Sequence, residues 1–128
     1  MKTKIDSIYL IIALAYLTAG IALGIGMGMA ENFMYAHLHA HMNLLGFVAH
    51  GFFGFSHRLW PSLRESGLSA PQLGTFVIGT PIFLIGLPLA QYHGQPLLAI
   101  VGSFLVLASV VLFLIMFVSK AQRAPTPA

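Results

Sequence analysis

Tyr35-Ala-His37-Leu-His39-Ala-His41-Met-Asn43-Leu-Leu-Gly46 runs on through His50 to His57-Arg58-Leu-Trp60-Pro61 and holds five of the six histidines of the chain. The residues between these histidines are apolar enough for a bilayer, where an ionisable side chain is costly and marks a functional site by default. At about 100° per residue, His37 and His41 fall one turn apart on one face of a helix. His39 lies nearly opposite, on a stripe that continues through Asn43, Gly46, His50, Gly54 and His57. One helix therefore cannot bring His39 and His41 to a single metal ion. A site using both requires neighbours on two sides, as for a helix wedged between others in a symmetric oligomer.

The rest of the chain explains the setting. With 128 residues, 58% of them hydrophobic and 7% charged, the chain lacks the polar surface that a water-soluble domain of this size needs. An all-α integral membrane protein in the lipid bilayer is expected. Cysteine is absent, which excludes disulfides, thiolate metal sites and iron–sulfur clusters. Any metal or cofactor has to be held by His, Met, carboxylate or backbone. The net charge of +3 is spread over membrane-flanking segments, so topology accounts for it and nucleic acid does not.

Four transmembrane helices are expected over about 8–30, 33–59, 71–89 and 97–119, in a single domain spanning 1–128 with a mobile tail over 120–128. The Lys-rich start and Gly28-Met29-Ala30 imitate a cleavable signal peptide. The apolar run of about 23 residues exceeds the usual signal core and can cross a ~30 Å hydrocarbon layer, so it is read as the first helix. Gly20-x-x-x-Gly24-x-x-x-Gly28 would let another helix approach closely, from this chain or another copy. Trp60-Pro61 closes the second helix, Pro81 and Pro88 predict a kink in the third, and Ala90 to Pro96 reads as the next turn.

In this layout all six Lys and Arg residues (Lys2, Lys4, Arg58, Arg64, Lys120, Arg123) share one end with both termini. The opposite end carries Glu31, Tyr35, His37, His39, His41, Tyr92 and His93. The positive-inside rule then places both termini in the cytoplasm of a bacterial-type inner membrane, with the histidine cluster near the outer face. Tyr9 and Trp60 are expected in an inner aromatic belt, and Tyr35 and Tyr92 in an outer one.

His41-Met-Asn43-Leu44-Leu45, followed by small residues and Arg58-Leu-Trp60-Pro61, resembles the second transmembrane helix of the catalytic subunit of the haem-copper oxidase superfamily. It is closest to the nitric oxide reductase branch, where His-x-Asn-Leu-Leu precedes a Tyr-x-x-Pro ending. In that family the histidine at this place is an axial ligand of a low-spin haem, and the matching residue is His41. The family's His-x-His pair is also similar to His39-Ala-His41. Its subunit is built from three pseudo-symmetric arcs of four helices with haem between arcs, so the resemblance implies a homotrimer of four-helix chains, favoured over a dimer.

The resemblance further implies a haem b at the subunit interface, held by His41 of one copy and by His39 or His37 of its neighbour. Asn43, Tyr35 or Glu31 would fix the imidazole tautomers. Phe33, Phe47, Phe52, Phe53 and Phe55 would pack the porphyrin, and Gly46, Gly51 and Gly54 would make room for it. Bis-imidazole iron suits electron transfer with a redox partner or quinol, whereas a five-coordinate iron would suit a haem-dependent oxidoreductase.

A second class of function stays open beside this one. Met27, Met29, Met34 and Met42 crowd the outer end with His37, His39 and His41. Thioether with imidazole suits copper(I) and imidazole alone suits zinc, so metal binding or transport without haem is the alternative. His39, His50 and His57 along one stripe are also a candidate polar path across the bilayer. His93 reads as a further metal ligand or a turn residue. His50 reads as a ligand, a proton relay or a neutral imidazole bonded to a carbonyl, and His57 as an inner-interface residue. A small accessory subunit of a larger respiratory complex is the third reading. Asp6, Glu31 and Glu65 are the only carboxylate side chains, and no Ser/His/Asp set or phosphate loop suggests other enzymatic chemistry.

Overall fold

The computed structural model describes residues 4–121. Lys2, Arg123 and residues 122–128 of the expected tail lie outside the described residues. Among the described residues the chain is all-helical, with no strand. Its elements are α1 (Ile5–Ala30), α2 (Ala36–His41), a π-helical segment (Met42–Ala49), α3 (His50–Leu59), α4 (Pro61–Arg64), α5 (Ser69–His93) and α6 (Leu97–Met116), which ends in a wider turn over Phe117–Ala121. Three helices, Ile5–Ala30, Ser69–His93 and Leu97–Lys120, are long and apolar enough to cross a membrane, which suggests a multi-pass membrane protein.

α2, the π-helical segment and α3 follow one another without a break and form one composite helix over 36–59. The wide turns in its middle had no signal in the sequence; such turns are rare and frequently accompany functional sites. The composite helix starts three residues later than the pattern predicts. Residues 32–35 form a turn instead, with the Met34 N–H donating to Asn32 Oδ1 at 3.0 Å and the Ala36 N–H to the Phe33 carbonyl at 3.0 Å. α5 runs past its expected end at Leu89 to His93, because Ala90, Gln91 and Tyr92 all tolerate helix there. Gly94, at φ 61°, then supplies the left-handed cap. The expected turn over 90–96 thus shrinks to 94–96. Pro61 opens the short α4 at a position where its missing N–H costs nothing.

α5 and α6 form the closest pair. A Cβ on Gly86 would enter the Leu98–Ala99 backbone, and one on Gly102 would enter the backbone of Phe83. α1 packs along the composite helix, with Gly20 and Gly24 facing Asn43 and His39, so the partner of the glycine ladder is the same chain. Gly26 and Gly28 face open space. The buried core gathers Tyr9, Phe53, Phe76, Phe113, Leu63 and Met116. Tyr9 is fully buried there, not part of an aromatic belt, because Gln72 offers its hydroxyl a partner inside the bundle.

The two ends of the bundle differ in chemistry. At one, Asp6 pairs with Arg58 at 3.0 Å and with Arg64 at 3.5 Å, and the Ser62 hydroxyl donates to the Lys120 carbonyl at 3.3 Å. At the other, the Tyr92 hydroxyl donates to the Met34 carbonyl at 2.5 Å, beside the first three histidines.

Candidate functional site

The composite helix presents its histidines to two neighbours, and both belong to its own chain. Toward α1, His39 Nδ1–H donates to the Gly20 carbonyl at 2.8 Å and its Nε2 accepts from Asn43 Nδ2 at 3.3 Å. The ring lies over Gly24, where a Cβ would stand 2.8 Å from His39 Cε1. Both nitrogens of His39 are therefore committed within the chain. Asn43 rests on Gly20 and Gly46 on the ring of Tyr16, so these residues join His39 in the seam with α1.

Toward α5, His41 packs 5.4 Å from the ring of Phe83. Its Nδ1–H donates to the His37 carbonyl at 2.8 Å, which fixes the tautomer and leaves the Nε2 lone pair uncommitted. His37 and His41 together line a groove of about 330 Å³ with Leu87, Ala90 and Gln91. A histidine anchored at Nδ1 by a carbonyl and open at Nε2 is the form that ligates a metal. The composite helix thus lies between α1 and α5 of its own chain.

The other candidates sit apart from this groove. His93 lines a separate cleft of about 510 Å³ with Tyr16, Tyr35, Met42, Pro81 and Pro88, so Met42 lines this cleft and not the groove of His37 and His41. Met29 and Met34 are exposed and Met27 is buried along α1. Among the described residues no three His, Cys, Asp or Glu side chains come together as a metal cluster. Phe47 is half-buried, Phe33, Phe52 and Phe55 are exposed along the apolar surface, and Phe53 belongs to the core.

The sequence reading missed a polar core beneath this end. His57 is no interface residue: it is fully buried and stacks on Tyr9 with ring centroids 5.7 Å apart and planes 12° from parallel. The Tyr9 hydroxyl donates to Gln72 Oε1 at 2.5 Å, Gln72 Nε2 donates to Ser109 Oγ at 3.1 Å, and the Ser109 hydroxyl returns to the Gln72 carbonyl at 2.8 Å. His50, also fully buried, lies between Tyr9 and Tyr16 of α1 and 4.5 Å from Phe76 of α5. Its Nδ1–H donates to the Leu45 carbonyl at 2.8 Å, across the wide turns of the π-helical segment.

Among the described residues, five buried atoms have no hydrogen-bond partner: Asn43 Oδ1, His50 Nε2, both ring nitrogens of His57 and Thr80 Oγ1. Each costs about 1–3 kcal/mol if left dry, so such a concentration calls for a reason. The available signal was Gln72, Thr80 and Ser109, uncharged polar residues inside otherwise apolar helices. Gln72, Phe76 and Thr80 also recur every fourth residue, which sets them on one face of α5.

In comparison with known proteins, no family model, curated protein or solved structure matches the chain. A functional reading has to be built from the two histidine settings themselves.

Proposed function

We propose that this chain is a four-span protein of a bacterial-type inner membrane that binds haem b through His41 at an interface between copies and serves electron transfer. In this reading the composite helix over 36–59 is the fourth span, both termini are cytoplasmic and the histidine end faces outward. The observation that carries the reading is the half-buried imidazole of His41, which lines a groove with Nδ1 anchored and Nε2 unbonded. It agrees with the resemblance of His41-Met-Asn43-Leu44-Leu45 to the haem-ligand helix of the haem-copper oxidase superfamily.

The donor set supports a haem on one side and limits it on the other. His41 supplies one axial nitrogen. His39 is the weaker choice for the opposite ligand, since both its nitrogens are bonded inside the chain, and His37 of the partner subunit is the stronger. Asn43 and Gly46 hold the helix against α1 and leave the porphyrin to meet Leu87, Ala90 and Phe83. A bound haem supplies reversible one-electron chemistry at its iron. Each such group would join two neighbouring copies, and three copies closed on one another would give a symmetric trimer, by analogy with three arcs of helices.

The test is the absorption spectrum of detergent-purified protein, oxidised and dithionite-reduced, with and without CO. A Soret band with sharp reduced bands indifferent to CO is expected, and His41→Ala abolishes it. An unchanged haem-to-protein ratio in His41→Ala refutes the assignment.

A second reading rests on one observation, that His37 and His41 stand one turn apart on the same groove with Gln91 beside them. Two imidazoles at that spacing chelate copper or zinc. Protein without a Soret band that retains one equivalent of either metal, lost in both His37→Ala and His41→Ala, would favour this reading over haem.

A further inference from the structure

From the charged end to the histidine end, the seam between α1 and the composite helix is lined by polar side chains at helix-repeat spacing. α1 contributes Asp6, Tyr9 and Tyr16, and the Gly20 carbonyl; the antiparallel composite helix contributes His57, His50, Asn43 and His39. α5 adds Gln72 and Thr80 from the third side. Asp6, paired with Arg58 and Arg64, marks the charged end of the seam, and the rings follow one another above it. His57 stacks on Tyr9, Tyr9 touches His50, and His50 touches Tyr16. Tyr16 covers Gly46, and Asn43 bonds His39. From Asp6 to Gly20 the seam rises about 21 Å along α1.

The partnerless buried atoms concentrate on this file. His57 offers both ring nitrogens, His50 offers Nε2 and Asn43 offers Oδ1 on the seam itself; Thr80 offers a hydroxyl from α5, one turn beyond the Phe76 that touches His50. Polar groups that bond internal water, and histidines that accept and release protons, are what an intramembrane relay requires. We propose that this seam conducts protons between the charged end and the histidine end of the bundle. The inference is independent of whether haem or a metal occupies the His41 groove.

The chemistry follows from the hydrogen bonds. His57, with both nitrogens open, takes a proton on one and releases one from the other. His50 takes a proton at Nε2, is an imidazolium while Leu45 keeps hold of Nδ1–H, and gives the proton back from the same Nε2 to the next water toward Thr80 and Asn43. One proton enters at the Asp6, Arg58 and Arg64 end for each that leaves beyond Asn43, and no electron moves. The rings packed against the two relay histidines are Tyr9 and Tyr16 of α1, Phe76 of α5 and Phe113 of α6; the charged groups at that end of the bundle are Asp6, Arg58 and Arg64.

The full chain is reconstituted in phosphatidylcholine/phosphatidylglycerol vesicles with entrapped pyranine. A potassium gradient and valinomycin then supply the driving potential. Wild-type vesicles are expected to change internal pH about ten-fold faster than protein-free ones, and His50→Phe and His57→Phe to return to the protein-free rate. These variants keep ring volume. If either fails to elute as a folded protein, Thr80→Val, which removes only a hydroxyl with no partner in the protein, is expected to slow the flux severalfold. A wild-type rate equal to that of protein-free vesicles overturns the proposal. So does wild-type flux in the folded variants, or a potassium leak without valinomycin that grows with the proton flux.

Discussion

Replacing Gly24 by alanine tests the division of the composite helix into an inward and an outward face. The new Cβ would lie 2.8 Å from His39 Cε1 and 3.4 Å from its Nδ1, while the ring is pinned by the Gly20 carbonyl and Asn43. Overpacking of this kind costs about 1–3 kcal/mol, and alanine gains about 1 kcal/mol in helix propensity, leaving a net loss of up to roughly 2 kcal/mol. Gly26, two residues on, meets nothing within 4 Å, so Gly26→Ala carries the gain without the clash. Thermal unfolding in detergent, followed by circular dichroism, should therefore rank Gly26→Ala at or above wild type and Gly24→Ala a few degrees below it. Occupancy of the His41 groove should be unchanged in both, since His41 turns toward α5. Gly24→Ala melting at or above Gly26→Ala would refute the placement of His39 against α1. Loss of bound haem or metal in Gly24→Ala would refute the separation of the two faces.

Two further perturbations probe the polar interior and the charged end. Gln72→Leu strips partners from Tyr9 and Ser109 and should cost about 2–4 kcal/mol; in a double-mutant cycle with Tyr9→Phe, a coupling near 1 kcal/mol or above is expected, and additivity would show that the 2.5 Å bond contributes nothing. Asp6→Asn removes the shared partner of Arg58 and Arg64, but the Arg58 side chain is 53% exposed and water screens that pair. The loss should stay below about 1 kcal/mol and fade in molar salt; a salt-independent loss would mean that the carboxylate is held by something other than these arginines.

How much of this was legible depends on which physical signal carried it. Apolar runs with Lys and Arg at one end predict the long helices well, since length and hydropathy depend on local composition. The assignment of His37 and His41 to one face, and of His39, Asn43 and Gly46 to another, was readable because residue spacing is nearly geometry in a helix. What the spacing could not supply was the identity of the neighbours. Gly20 and Gly24 announce a close approach without saying to what, and the answer is Asn43 and His39. The wide turns over Met42–Ala49 were invisible because no residue type encodes them. Tyr9 and His57 were misplaced at the membrane surface because each has an amphipathic side chain suited to an interface. The burial of Tyr9 depends on Gln72, sixty-three residues beyond it in the chain, and His57 is buried by stacking on Tyr9.

The two histidine settings differ in the free energy of losing a partner, and this is what separates their roles. His39 is bonded at both nitrogens in a seam where any Cβ on Gly24 would collide, so recruiting it as a ligand breaks a hydrogen bond and disturbs helix packing together. His41 would give up nothing on binding a ligand at Nε2, because its one bond among the described residues, to the His37 carbonyl, uses the other nitrogen and orients the ring. His50 resembles His41 in its anchored Nδ1 but differs in burial, and a fully enclosed Nε2 can meet only water or a neighbouring hydroxyl. The same tautomer therefore suits a ligand where the helix faces a groove and a relay where it faces the core, and the two proposed roles part where the helix passes from one environment to the other.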